Sequence, residues 1–128
     1  MPAYDTTRFQ PPAPLANVTL HNQDTGTAWT DVPMLLDTGA DLTLVPRTML
    51  GRPDIQPDPN RQYELLGFDG STSFAQIVQL ELIFLGKRFR GPYLLIEQEY
   101  GIIGRNILNS VRLVLDGPMQ TWDEFKQK

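Results

Sequence analysis

Cysteine is absent from this chain of 128 residues, which excludes disulfides, thiolate metal sites and cysteine nucleophiles. Histidine is nearly so: His21 is the only one. A His-rich metal site is therefore ruled out, and a Ser-His-Asp triad would have to depend on His21. That residue sits in VTLHNQDTG with no evident serine partner, and reads as a surface histidine. Basic charge is also scarce. The formal net charge is −4, and no basic stripe exists to displace phosphate counterions, so nucleic acid is not expected as a partner. The densest cationic cluster, Lys87-Arg88-Phe89-Arg90, reads as decoration of a hairpin turn. No apolar run approaches membrane-spanning length. The polar start MPAYDTTRFQ lacks a secretory pattern, so the cytoplasm is the expected compartment and no membrane partner is expected.

What remains is an ordinary soluble composition, 41% hydrophobic and 20% charged, long enough for one domain with a sizeable core. Residues 1–14 carry Pro2, Pro11, Pro12 and Pro14 and read as an extended arm. Residues 15–128 read as the domain. Val18 and Leu20 alternate, a polar turn follows from His21 to Thr27, and Trp29 to Leu36 returns. Pro46 to Asn60 has the composition of a surface loop. Tyr63–Leu66 and Ser73–Val78 flank Gly67-Phe68-Asp69-Gly70, where Asp-Gly signals a hairpin. Leu80–Leu85 and Tyr93–Ile96 read as further strands joined around Gly86 and Gly91. Arg105–Ser110 suits a short helix, Val111–Leu115 alternates, Asp116-Gly117-Pro118 turns, and Met119–Phe125 returns. Many short strands and one short helix predict an all-β, closed and mostly antiparallel structure.

One acid stands out. Asp37 follows Met34-Leu35-Leu36 where a buried strand should end, and a carboxylate there is costly unless hydrogen-bonded or given a task. The tripeptide Asp24-Thr25-Gly26 repeats Asp37-Thr38-Gly39 only 13 positions earlier. It lacks the apolar flanks and reads as a hairpin turn.

Leu35-Leu36-Asp37-Thr38-Gly39-Ala40-Asp41, followed more than sixty residues later by Gly101-Ile102-Ile103-Gly104-Arg105-Asn106-Ile107-Leu108, resembles the retropepsins, the retroviral-type aspartic proteases. The resemblance runs from about Leu15 to Leu115, and the DGPMQTWDEF tail is more similar to single-domain cellular or bacterial members. It implies the acid-protease β-barrel and a homodimer in which each chain donates one Asp. The sequence agrees independently, since one usable Asp-Thr-Gly leaves only a second chain to supply the partner acid. The implied activity is aspartic endopeptidase on extended polypeptides, without metal or other cofactor.

The same resemblance assigns roles. Asp37 is the catalytic acid, with Thr38 and Gly39 completing the loop. Thr38 would hydrogen-bond across the dyad axis, or be a turn threonine. Gly39 would let substrate backbone approach, or be a turn glycine. Ala40, Asp41, Leu42, Leu65, Gly67, Phe68, Tyr100 and Ile102 fall where the family contacts substrate, although core packing alone could explain Ile102. Leu42 replaces a second acid of the viral enzymes and implies a more apolar subsite. Asp41 and Arg105 would pair as a partly buried structural brace, or remain solvated charges. The hairpin Tyr63–Phe74 corresponds to the flap, or is an ordinary surface hairpin. Val111 to Phe125 is long enough for a complete hairpin, and two of these would form a four-stranded dimer sheet, leaving the arm free. A retropepsin-like dimerisation or peptide-binding module with weak catalysis is the alternative from another class. A purely structural barrel is a third.

Overall fold

The computed structural model describes residues 2–50, 62–66 and 72–126. Its centre is a six-stranded barrel. The first strand, β1 (Leu15–His21), pairs antiparallel with β2 (Ala28–Leu36) across the polar turn. Asn22 shapes that turn: its carbonyl accepts Gly26 N–H (2.8 Å) and its side chain accepts Asp24 N–H (3.0 Å). Asp24 is thus the turn residue expected. The alternation of β1 places Ala16, Val18 and Leu20 in the core. The register of this pair slips between Val18 and Leu20 of β1, which face Val32 and Trp29 of β2. Thr30 and Asp31 there oppose Thr19 alone, and Asp31 takes φ +55°, the geometry of a bulge.

The longest strand, β5 (Thr72–Phe84), serves two structures. Its first part pairs with β4 (Gln62–Leu66), up to Gln62 opposite Gln76. From Ile77 onward it pairs with β6 (Lys87–Ile96). A two-residue turn at Leu85 (φ +53°) and Gly86 (φ +75°) joins β5 to β6, the left-handed pair that suits strand twist. Residues read as two strands, Ser73–Val78 and Leu80–Leu85, are therefore one, because exposed Gln79 continues the alternation. Gly91 lies within β6 opposite Leu80, not at a joint.

Two short strands complete the wall. β3 (Leu44–Pro46) runs parallel to β6, and β7 (Gly101–Ile103) lies between β2, to which it is parallel, and β3. The order β1-β2-β7-β3-β6-β5 closes through β5 pairing with β1 at Thr19–His21. Closure removes the exposed edges that an open sheet would present. Leu20, Met34, Leu82 and Ile103 are fully enclosed at the centre. The all-β closed fold expected from the sequence is what the chain adopts.

Two helical turns are described. α2 (Arg105–Leu108) lies where the short helix was expected and buries Ile107. α1 (Arg47–Leu50) occupies the start of the segment read as loop, because Leu50 anchors it in the core. The remainder of that segment, and the turn 67–70, lie outside the described residues. Among the described residues no helix is long and apolar enough to cross a membrane.

At the closing seam Glu81 is only 2% exposed. Arg88 (2.6 Å) and Arg90 (3.1 Å) donate to its carboxylate, as does Gln23 (3.1 Å). The Arg88 hydrogen bond does most to hold this carboxyl below its ordinary range, against burial, which raises it. The cationic cluster thus neutralises a barrel acid. His21 belongs to the same seam: its Nδ1 is buried 3.8 Å from Glu81. It is not a plain surface histidine, because β1 is paired on both sides at its end.

The chain ends in a separate hairpin of β8 (Leu113–Asp116) and β9 (Thr121–Glu124). Trp122 moors it to the barrel. Its indole N–H donates to Leu15 O (3.1 Å) and its ring packs against Phe84. The arm is not free. Trp122 N–H donates to Pro2 O (2.9 Å), Tyr4 N–H donates to Gln120 O (2.7 Å), and Tyr4 packs on the core. A proline-containing segment suits this outer edge, where few backbone donors are needed.

Candidate active site

The segment after β2 leaves the barrel and folds back at once. Asp37 N–H still donates to Ile103 O of β7 (3.0 Å), the last rung of the wall. Ala40 N–H then reaches Asp37 O (3.2 Å) to close a turn. Inside it, Gly39 N–H donates to the Asp37 carboxylate at 2.9 Å. Asp37 is half-buried, whereas Thr38 and Gly39 are exposed. A Cβ on Gly39 would lie 3.2 Å from the Asp37 oxygen, so glycine keeps the approach to the carboxylate open. The acid at the strand end is thus hydrogen-bonded by its own loop and still accessible.

The loop is braced from α2. Arg105 N–H donates to Ala40 O (2.8 Å) and Asn106 N–H to Asp41 O (3.3 Å). The Arg105 guanidinium donates to Thr38 O at 2.7 Å and pairs with the Asp41 carboxylate. The expected pair forms, but it is not a buried brace. Asp41 is 80% exposed in the single chain, so the Arg105 contact with the Thr38 carbonyl carries more positional content than the ion pair.

The deeper brace is one that sequence reasoning missed. Thr43 is buried and its hydroxyl does two jobs, accepting Gly104 N–H (3.1 Å) and donating to Asn106 Oδ1 (2.7 Å). It ties the end of the loop to the β7–α2 junction across 61 residues of sequence. The available signal was one polar residue in the apolar run Leu42-Thr43-Leu44-Val45. Gly104 has no alternative there, because a Cβ would fall 2.2 Å from Leu42 O. Gly101 is equally confined, between Leu44 O and Met34 Sδ, each 2.4 Å from a Cβ.

The remaining candidates are spread over neighbouring elements. Ile102 pairs with Leu35 and Leu44 and is half-buried, whereas Ile103 on the other face is core. Leu42 and Leu44 pack beside Ile77 and Leu94 in a small apolar cluster apart from the main core. Tyr100 sits half-buried just before β7, against Phe9. Leu65 lies in β4 opposite Ser73. Gly67 and Phe68 lie outside the described residues. Among the described residues no group of acids and histidine has the proximity a metal needs.

The barrel thus carries an accessible Asp37-Thr38-Gly39 loop at a strand end, braced from the Gly104-Arg105 turn. The family model for retroviral aspartyl protease matches residues 10–116, and the chain belongs to that family. Among solved structures, EIAV protease complexed with the inhibitor HBY-793 superposes with a TM-score of 0.55 at 22% identity, covering 77% of this chain and 86% of that one. At this identity the likeness speaks for the fold. No curated protein sequence matches the chain.

Proposed function

We propose that the protein is a homodimeric aspartic endopeptidase whose site forms when Asp37 of two copies meet on a twofold axis. The observation that carries this is the Asp37 loop itself: one accessible carboxylate, held by Gly39 N–H and braced through Arg105 and Thr43. Family membership supports the chemistry. A symmetric interface turns one such loop into a pair.

Aspartic-protease dyads as a class, from which the distance is taken, hold two carboxylates about 3 Å apart that share one proton. The charged member takes a proton from a bound water, which attacks the peptide carbonyl. The protonated member donates a hydrogen bond to the carbonyl oxygen and stabilises the tetrahedral species. The proton belongs to the pair and not to either residue. Thr38 and Gly39 shape the loop, and Ala40, Asp41, Leu42, Tyr100 and Ile102 offer contacts for an extended peptide. The β4–β5 hairpin, with Leu65, Gly67 and Phe68, acts as the flap that excludes water.

The terminal hairpin is the surface that best suits the second copy. Val114, Leu115, Met119 and Phe125, the large apolar residues most exposed in the described chain, all lie on it or just beyond it. Its β9 edge is occupied by the arm at Ala3, while among the described residues β8 carries no strand on its other side. Antiparallel pairing of β8 with β8 of a second copy would cover that edge and make the four-stranded sheet, with the arms at its outer margins.

Replacing Asp37 with Asn tests the reading, since the amide is nearly isosteric but cannot serve as base. Hydrolysis of a peptide library should vanish with fold and dimer intact. Turnover near the parent level in clean protein would remove Asp37 from the mechanism. Library binding without cleavage by the parent would favour the peptide-binding module.

A further inference from the structure

Phe9 is carried by a closed loop of the arm. Asp5 and Ala13 pair across its neck through Asp5 N–H to Ala13 O (2.8 Å) and Ala13 N–H to Asp5 O (3.2 Å). The Asp5 carboxylate organises the interior. It accepts Arg8 N–H (2.7 Å), Thr7 N–H (3.0 Å), the Thr7 hydroxyl (3.2 Å) and the Arg8 guanidinium (2.7 Å). The Arg8 amide bond foremost keeps this carboxyl below its ordinary range. Such a loop is set before any ligand arrives. It brings Phe9 edge-on to Tyr100, with ring centroids 4.9 Å apart and planes at 66°.

Tyr100 directly precedes β7, whose Gly101 is level with Met34, three residues before Asp37. At about 3.3 Å per strand residue the aromatic pair lies about 10–13 Å from the Asp37 level. An extended substrate covers that distance in three or four residues. Both rings are only half-buried, so the pair keeps open aromatic surface. Phe9 also lies just before the family-matched segment, which begins at residue 10.

We propose that Phe9 is a specificity-determining residue. With Tyr100 it forms the wall of a subsite that takes a large apolar side chain three or four positions from the bond cut. This rests on the peptidase reading above, and adds to it a substrate preference set by the arm. Two aromatic edges favour an aromatic or long aliphatic side chain and give nothing to a small or charged one.

The test is a peptide series with one scissile bond and Phe, Leu, Ala or Lys at the third and fourth positions from it. Parent, Phe9→Ala and Phe9→Leu proteins are compared by kcat and KM. The Ala variant should lose roughly two- to tenfold in kcat/KM on the Phe and Leu peptides, mainly through KM, and stay within about twofold on the Ala peptide. A uniform loss on all peptides would make Phe9 a fold residue only and overturn the proposal, as would an unchanged preference in a folded variant. If Phe9→Ala does not fold, Phe9→Leu decides: preference should move from aromatic to aliphatic, and no movement overturns it. If the parent cuts no peptide, the peptidase reading fails separately. The same series is then titrated as ligands, and equal binding to parent and Phe9 variant overturns the subsite.

Discussion

Arg105 donates from its guanidinium to the carbonyl of Thr38 at 2.7 Å, joining a residue of the helical turn to the loop that carries Asp37. The contact spans 67 residues of sequence and uses the planar fork of arginine, whose other arm rests on Asp41. Lysine cannot reproduce both contacts at once. Arg105→Lys should therefore lower kcat/KM by about ten- to a hundredfold through misplacement of the acid. Because the ion pair is exposed, the thermal midpoint should move little. A variant with parental kinetics would show that the loop needs no guanidinium.

Thr43 makes the opposite prediction. Thr43→Val keeps the volume but leaves the buried Gly104 N–H without its acceptor, at a cost of about 1–3 kcal/mol in stability. Urea unfolding should show the loss, with activity reduced alongside it. An unchanged unfolding midpoint would mean that the hydroxyl is dispensable.

The proposed sharing of one site by two chains can be tested by poisoning. When Asp37→Asn chains are co-refolded with equal amounts of parent, random pairing leaves roughly a quarter of dimers with two aspartates. Activity should settle near that fraction of an all-parent sample at the same total protein. A value near one half, after mixing is verified, would mean that each chain carries a complete site.

Two pH dependences are expected, from different groups. Activity should be bell-shaped with an acidic optimum, because the proposed dyad would work with one proton and fail with two or none. A rate still rising through pH 9 would exclude a shared proton. Stability should show its own acid limb from Glu81, whose carboxyl Arg88 holds below the ordinary value of 4.5. A carboxyl with a depressed folded pKa stabilises the fold above its unfolded value, and the contribution disappears as pH falls through the folded one. The thermal midpoint should thus decline below about pH 4.5, and Glu81→Gln should flatten that decline. Identical acid slopes in parent and variant would place the sensitivity elsewhere.

Dimerisation should depend on the hairpin more than on the arm. Leu115, 53% exposed on β8, should give a monomer in sedimentation when changed to Asp, as should ending the chain after Asp116. Deleting residues 1–12 should preserve the dimer but lower the unfolding temperature, since Tyr4 and Pro2 leave the Trp122 edge. Loss of the dimer on arm deletion alone would reverse this assignment.

The parts of the structure legible in the sequence are those with a local signal. The strand ends at Asp37, the turn at Asn22–Thr27 and the terminal hairpin are all marked by alternation and turn residues. Glycines misled in one place and informed in another. Gly91 resembles a joint, yet a Cβ there would meet nothing, so it is simply a strand residue. Gly104 sits in a motif, and its closeness to Leu42 O shows why. The anchoring of the arm is not legible among its prolines, because Tyr4 and Phe9 meet partners far along the chain, Gln120 and Tyr100. Thr43 was missed for the same reason, since a buried hydroxyl is intelligible only once Gly104 and Asn106 are beside it.

Because β5 changes partner between Gln76 and Ile77, one continuous strand belongs to two cooperative units. Amides from Ile77 to Phe84 sit between β1 and β6 or against β6, and should exchange with deuterium only when the barrel unfolds globally. Among the described residues, amides from Thr72 to Gln76 pair with β4 alone, and they should exchange by a cheaper, local opening. Arg47 donates to Gln76 at 2.6 Å, at the boundary itself. The boundary between the two exchange classes thus falls inside one strand, at the step from Gln76 to Ile77, instead of between two strands.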